Sequence, residues 1–141
     1  MTPEILARIA TARAVRDLSD LARQEVAATA EPLDPAERIR NARRMREMAT
    51  QIVDLVVLAE ALAGTPWEEI AEALGPKNVG RDPDTVRAEY EDAVAEWQAI
   101  PEAQMEAAAE GAEALDAWYD RHREDHDPAS SSPVTDLLNR R

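Results

Sequence analysis

The sequence contains no cysteine and no phenylalanine, and it has few aromatic residues of any kind. Without cysteine the chain cannot form a disulfide, a thiolate metal site or a thiol nucleophile. The apolar residues are mainly Ala, Leu, Val and Ile, which favours close helix–helix contacts over a thick aromatic core. Long hydrophobic runs are also missing. The longest, 52–63, contains Asp54 and Glu60 and is shorter than the roughly 20 residues that span a bilayer.

The first residues lack the features of a secretory signal peptide. Thr2, Pro3 and Glu4 stand where a basic region is expected, and no apolar segment follows them. We therefore expect a soluble, cytoplasmic protein that does not enter a membrane.

Charge is unevenly distributed along the chain, which has a formal net charge of −13. Residues 35–64 carry a slight excess of arginine, whereas residues 65–141 are strongly acidic. Most of the chain would therefore repel a DNA duplex, and only part of segment 35–64 would attract one. A role in solubility alone would also explain the acidity.

Helical patterns account for nearly the whole sequence, and strand patterns are almost absent. Apolar residues recur every three or four positions, and capping residues precede each such run. These signals predict an all-α fold of about five helices around a central apolar helix. The predicted starts are Thr2-Pro3-Glu4, Asp34-Pro35, Thr65-Pro66-Trp67-Glu68, Asp82-Pro83 or Asp84, and the residues after Pro101.

Helix ends follow from the same signals. The first helix should end near 28–30, and the second should run about 29 residues to Ala63, with Gly64 as a left-handed terminator. The near-continuous apolar character of 52–63 predicts burial on more than one side. The last long helix should reach about Asp125, only slightly weakened by Gly111.

Three regions follow from these boundaries. Residues 1–30 form an N-terminal helix that either folds back on the body or pairs with a second chain as a dimerisation element. Residues 34–126 form the helical core. Residues 127–141 begin with a Ser- and Pro-rich linker and form a flexible C-terminal tail. Its apolar end, Val134, Leu137 and Leu138, is either frayed or docked.

The segment from Thr65 to Gly75 resembles the first helix and turn of the helix-turn-helix domains of actinobacterial regulators. These domains carry a pattern like W-x-E-I-A-x-A-L-G after a long helix. The matching residues are Trp67, Glu69, Ile70, Ala71, Ala73, Leu74 and Gly75, and the resemblance extends over about 51–97. Ala71 permits close helix approach, and Gly75 permits a sharp reversal.

The resemblance implies a small regulator that binds DNA, with the helix after Pro83 as the reading helix. The residues that could contact DNA there are Lys77, Asn78, Arg81, Thr85 and Arg87. Arg40, Arg43 and Arg44 share one face of the preceding helix and could contact phosphates. Two features depart from the family pattern: the turn is longer than 3–4 residues, and the next helix carries Glu89, Glu91 and Asp92.

The alternative hypothesis is an acidic helical adaptor or inhibitor that binds another protein, including a nucleic-acid-binding one. A homo-oligomer suits either hypothesis. No catalytic constellation, cofactor motif or small-molecule site is evident, so we expect no enzyme. His122 and His126 are spaced to share a helix face and could bind a metal, but no third ligand has a defined position, and we predict no metal site.

Overall fold

The computed structural model describes residues 1–75 and 82–140, and every regular element among them is helical. The all-α prediction is confirmed. A 3₁₀ turn at Ala28–Ala30 accompanies seven α-helices: α1 (Pro3–Ala27), α2 (Pro35–Ala63), α3 (Trp67–Leu74), α4 (Pro83–Gln98), α5 (Glu102–Ala109), α6 (Ala112–His122) and the one-turn α7 (Thr135–Leu138).

The first four helices start and end where the sequence predicts them, although not all the predicted caps form. The last long helix is interrupted and ends at His122 instead of near Asp125. The hydroxyl oxygen of Thr2 accepts from the Ile5 N–H at 3.3 Å, and Gly64 ends α2 with a φ of 91°. The prediction that Thr65 caps α3 is wrong. Thr65 instead donates its hydroxyl to a Glu60 carboxylate oxygen at 2.7 Å, and Pro66 precedes α3 without a side-chain cap. The Asp34 side chain likewise makes no capping bond.

The two longest helices, α1 and α2, form an antiparallel hairpin. We call the end of the hairpin at the 3₁₀ turn its tip and the opposite end its base. Near the base, the Arg8 guanidinium lies 2.8 Å from a Glu4 oxygen and 3.5 Å from a Glu60 oxygen. The hydrogen bond to Glu4 is the main reason that the pKa of Arg8 is raised. Of the two arrangements predicted for the N-terminal helix, the structure shows the one in which it folds back on the body.

The most enclosed part of the fold is the beginning of α1. Ile9 and Ala7 are completely buried, but they belong to different clusters. Ile9 packs with Ile5, Ala112, Leu115 and Val134, whereas Ala7 packs with Leu58 and Ala59 of α2. The first turns of α1 therefore lie between α2 on one side and α5, α6 and α7 on the other.

The apolar segment of α2 is less buried than its sequence predicts. Val57, Leu58 and Ala59 are buried, but Val53 and Val56 remain 46% and 44% exposed. The expectation of a central helix covered on several sides is therefore wrong for the part of α2 before Val57. Other helices cover α2 on two sides, and the side that carries Val53 and Val56 faces solvent.

A break at Gly111 divides the predicted fifth helix into α5 and α6. Gly111 adopts a left-handed conformation with a φ of 92°, which costs glycine little and interrupts helical geometry. The Arg13 guanidinium donates to the carbonyl of Glu110 at this break. The break lets α5 and α6 both reach α1, and it corrects the expectation of one helix that Gly111 only weakens.

A partly buried hydrogen bond joins α6 to α1. The Trp118 indole N–H donates to an Asp20 carboxylate oxygen at 3.0 Å. This bond, aided by a second from Arg23, lowers the pKa of the Asp20 carboxyl.

The C-terminal segment is docked rather than free, which corrects the expectation of a flexible tail. Val134 is buried in the cluster around Ile9, and Leu137 packs against that cluster. Earlier in the segment, the Tyr119 hydroxyl donates to the carbonyl of Pro128.

α3 and α4 pack together against the second half of α2. Val57, Ile70, Ala71, Val86 and Tyr90 form one cluster. The Tyr90 hydroxyl also donates to an Asp54 carboxylate oxygen at 2.7 Å, which fixes where α4 crosses α2. The helix-turn-helix interpretation of this unit stays a prediction, because the connection between α3 and α4 lies outside the described residues.

Candidate functional site

The predicted DNA-contacting residues fall into three places. Lys77, Asn78 and Arg81 lie outside the described residues. Thr85 and Arg87 lie in the first turns of α4, and Arg40, Arg43 and Arg44 lie in the first half of α2.

The start of α4 is fixed by its N-cap. Asp82 accepts a hydrogen bond from the Thr85 N–H at 2.8 Å, and hydrogen bonding to Thr85 lowers the pKa of the Asp82 carboxyl. The Thr85 and Arg87 side chains are exposed. The Arg87 guanidinium lies 3.8 Å from a Glu91 carboxylate oxygen one turn later. This cation therefore faces a carboxylate on its own helix.

The α2 arginines lie on an open surface. Arg40, Arg43 and Arg44 are exposed, and none of them forms an ion pair within residues 1–75 and 82–140. No carboxylate among the described residues therefore neutralises these three arginines.

The structure does not bring these arginines next to the start of α4. Val86 packs in the cluster of Val57. Arg43 precedes Val57 by fourteen residues of continuous helix, which is about 21 Å along the α2 axis at 1.5 Å per residue. Among the described residues, Thr85 and Arg87 therefore lie on a different surface from the α2 arginines.

A ridge of carboxylates runs along the exposed side of α4. Glu89, Asp92 and Glu96 are all exposed, and their spacing of three and four residues places them on one face. α3 adds Glu68, Glu69 and Glu72, also exposed, and it carries no basic residue. Arg87 is the sole basic residue of α3 and α4, against eight carboxylates. We call Glu89, Asp92 and Glu96 the acidic ridge.

The sequence interpretation counted Glu89 and Asp92 as a departure from a family pattern and did not group them with Glu96 on one helix face. The signal that identifies the ridge is present in the sequence: positions 89, 92 and 96 alternate with the apolar positions 86, 90, 93 and 97. Helical spacing alone would have placed the three carboxylates on one face.

An apolar groove of about 260 Å³ separates α2 from α3 on the exposed side of the hairpin. Val53 and Val56 line its α2 side, and Ile70, Ala73 and Leu74 line its α3 side. Sequence reasoning missed this groove, because a wholly apolar helix segment predicts burial and does not show which side remains uncovered.

The spacing of the two histidines suggested a shared helix face, but the structure does not place them on one. α6 ends at His122, so His126 lies beyond it. The His122 ring stacks on Trp118, and its Nδ1 lies 2.7 Å from the Trp118 carbonyl oxygen. No group of three potential metal ligands occurs in the part of the chain that the structure describes.

Comparisons with known proteins add no family or neighbour: no protein-family model, no curated protein and no solved structure matches this chain. Among the described helices, none is long and apolar enough to cross a membrane.

Proposed function

We propose that this protein is an acidic helical adaptor, and that the outer surface of α4 binds a basic segment of another protein. The acidic ridge carries this proposal, because Glu89, Asp92 and Glu96 are exposed along one face of a helix whose other side is packed. A rigid row of carboxylates can face a row of arginines or lysines on a partner helix.

Electrostatics favours a protein partner over a DNA duplex at this surface. The sole basic residue of α4 already faces Glu91. A duplex carries one negative charge per about 1.7 Å of its axis, so α3 and α4 would repel it. The basic surface of a nucleic-acid-binding protein would instead be attracted to the carboxylates of α3 and α4.

The test is the binding of a synthetic helical peptide with arginines on one face, followed by fluorescence anisotropy. Neutralising the ridge in the variant Glu89→Gln/Asp92→Asn/Glu96→Gln should weaken binding. Three exposed ion pairs at about 0.5 kcal/mol each correspond to roughly a tenfold loss.

The matched control is Glu102→Gln/Glu106→Gln/Glu113→Gln, which neutralises three exposed carboxylates on α5 and α6. It changes the net charge equally and should leave the affinity close to that of the unaltered protein. An equal loss in both variants would show a response to net charge alone and would overturn the assignment of a surface on α4.

A second candidate function is the DNA-binding regulator suggested by the helix-turn-helix resemblance. The observation that favours it is the exposed arginine group, Arg40, Arg43 and Arg44, which makes no ion pair within the described ranges. In this candidate the arginines contact phosphates while the acidic ridge points away from the duplex.

A further inference from the structure

One side of α2 carries a regular pattern that packing within the chain does not use. Positions 39, 42, 46, 49, 53 and 56 are spaced alternately by three and four residues, which is the spacing of core positions in a coiled coil. All six residues are exposed, and Ile39 reaches 62% exposure. We call this row the outer seam; its members are Ile39, Ala42, Arg46, Ala49, Val53 and Val56.

The outer seam has a neighbouring apolar row on α1. Glu60 follows Val53 by seven residues and continues the seam, and Arg8 precedes Val15 by seven. Since the Arg8 guanidinium lies 3.5 Å from Glu60, the two rows run side by side. Val15, Ala22 and Val26 of the α1 row are exposed. The hairpin thus presents one face, two helices wide, made mostly of alanine and valine.

We propose that a second copy of this chain covers this face, with the two hairpins antiparallel in a four-helix bundle. The register follows from the seam itself. When the two copies of α2 run in opposite directions around a point between Arg46 and Ala49, Ile39 meets Val56 of the second copy. In the same register Ala42 meets Val53, and Arg46 meets Ala49. Every seam residue then has a partner, and the contact is symmetric.

Charge selects the antiparallel direction. The tip half of α2, 35–49, carries five arginines against Glu37 and Glu47, whereas the base of the hairpin carries Glu60 beside Arg8 and the adjoining α3 carries Glu68, Glu69 and Glu72. An antiparallel pair places each basic tip beside the acidic base of the other copy. A parallel pair would place arginine beside arginine, which costs free energy and disfavours that arrangement.

Shape agrees with the same arrangement. Ile39, at the tip, is 62% exposed, compared with 46% for Val53 and 44% for Val56. The groove between α2 and α3 lies next to Val53 and Val56, at the base. Antiparallel docking brings Ile39 of one copy to the mouth of the groove on the other. The alanines at 42 and 49 let the two backbones approach closely in between.

The absence of native cysteine permits a direct test by disulfide cross-linking of single-cysteine variants. Ala42→Cys and Val53→Cys should each fail to cross-link alone. In this register each residue lies about 16 Å along the helix axis from the same residue of the second copy, at 1.5 Å per residue. Mixed together, they should form a covalent dimer. Gln51→Cys, an exposed position on another side of α2, is the control and should not cross-link.

Solution mass supplies the second measurement. The chain should sediment at twice its mass of 15.6 kDa at micromolar concentration. Val53→Glu should return it to 15.6 kDa with unchanged helicity, and Gln51→Glu should not. A monomeric mass for the unaltered chain would overturn the proposal, and so would cross-linking of Ala42→Cys alone, which indicates a parallel pair. Neither result bears on the acidic ridge of α4, which lies away from the outer seam.

Discussion

The Asp116 carboxylate on α6 accepts a hydrogen bond from the Val134 backbone N–H at 2.7 Å. Its second oxygen accepts from the N–H of Thr135 at 3.2 Å and from the Thr135 hydroxyl. Asp116 therefore serves as the cap of α7 from a different helix, eighteen residues away from Val134 in sequence. This buried carboxylate explains why the C-terminal segment docks although its linker is rich in serine and proline.

The first prediction concerns this cap. Asp116→Ala should lower the free energy of unfolding by about 1–3 kcal/mol, since the N–H groups of Val134 and Thr135 would lose their partner. Amide hydrogens at 134–138 should exchange faster. Urea denaturation and hydrogen exchange measure the two effects.

Asp120→Ala is the control for Asp116→Ala, because Asp120 is on the same helix and its side chain is 68% exposed. Its effect should stay within about 0.5 kcal/mol. Unchanged exchange at 134–138 in Asp116→Ala would contradict the role of Asp116 as the cap.

The second prediction concerns the break between α5 and α6. Gly111→Ala should destabilise the fold by about 1–2 kcal/mol, because a φ of 92° is costly for a residue with a Cβ. No steric clash adds to this cost, because the nearest atom to a new Cβ would be Arg13 Nη2 at 3.6 Å, an ordinary van der Waals contact. Urea denaturation measures the loss. Greater stability in Gly111→Ala would mean that α5 and α6 can join into one helix.

Gly64→Ala tests the same reasoning at the end of α2. Gly64 has a φ of 91°, and no atom lies within 4 Å of a new Cβ. Its cost should therefore match that of Gly111→Ala, and Gly64→Asn should cost less, because asparagine tolerates the left-handed conformation. Equal costs for alanine and asparagine at this position would contradict a conformational origin.

The sequence predicts most of this fold because helix starts and stops are local. Thr2, Gly64 and Asp82 act through atoms within a few residues of themselves, and their positions are found correctly. Gly111 shows the limit of this reasoning. Within a helical pattern a glycine is tolerated or breaks the helix, and the outcome here depends on packing of both halves against α1, far away in sequence.

The third prediction concerns the hydrogen bond that fixes the crossing of α4 over α2. Tyr90→Phe removes the hydroxyl that donates to Asp54 at 2.7 Å while keeping the buried ring. The free energy of unfolding should fall by about 1 kcal/mol, measured by urea denaturation. Asp54→Asn keeps an acceptor and should cost less than Tyr90→Phe, and the reverse order would contradict this role for the pair.

The fourth prediction concerns pH. The Trp118 indole, with help from Arg23, lowers the folded-state pKa of Asp20 below its ordinary value. A lowered folded pKa stabilises the fold above the unfolded pKa of about 3.9, and this contribution is lost as pH falls through the folded pKa. Trp118→Phe should raise the Asp20 pKa, as NMR titration of its carboxyl carbon would show.

Arg23→Gln should raise the Asp20 pKa by less, because the Trp118 hydrogen bond is the larger cause. The stability difference between the unaltered protein and Trp118→Phe should also shrink on acidification below about pH 4. An unchanged Asp20 titration in Trp118→Phe would contradict the role of the indole.

The candidate surfaces were less predictable than the helices. Helical spacing predicted that Arg40, Arg43 and Arg44 share one face, and the structure exposes all three side chains. The spacing could not show their distance from α4, which depends on where α4 crosses α2. The apolar residues Val53 and Val56 predicted a core and proved exposed, because the number of helices that surround α2 is a property of the whole fold.

The most direct test of the proposed function compares two probes on the unaltered protein at the same low salt concentration. We predict that the arginine-rich helical peptide binds and that a duplex DNA of mixed sequence does not. Binding should weaken as salt is added, because the charges of the acidic ridge are exposed. DNA binding that is lost in Arg40→Gln/Arg43→Gln/Arg44→Gln, without peptide binding, would contradict the adaptor and favour the DNA-binding regulator.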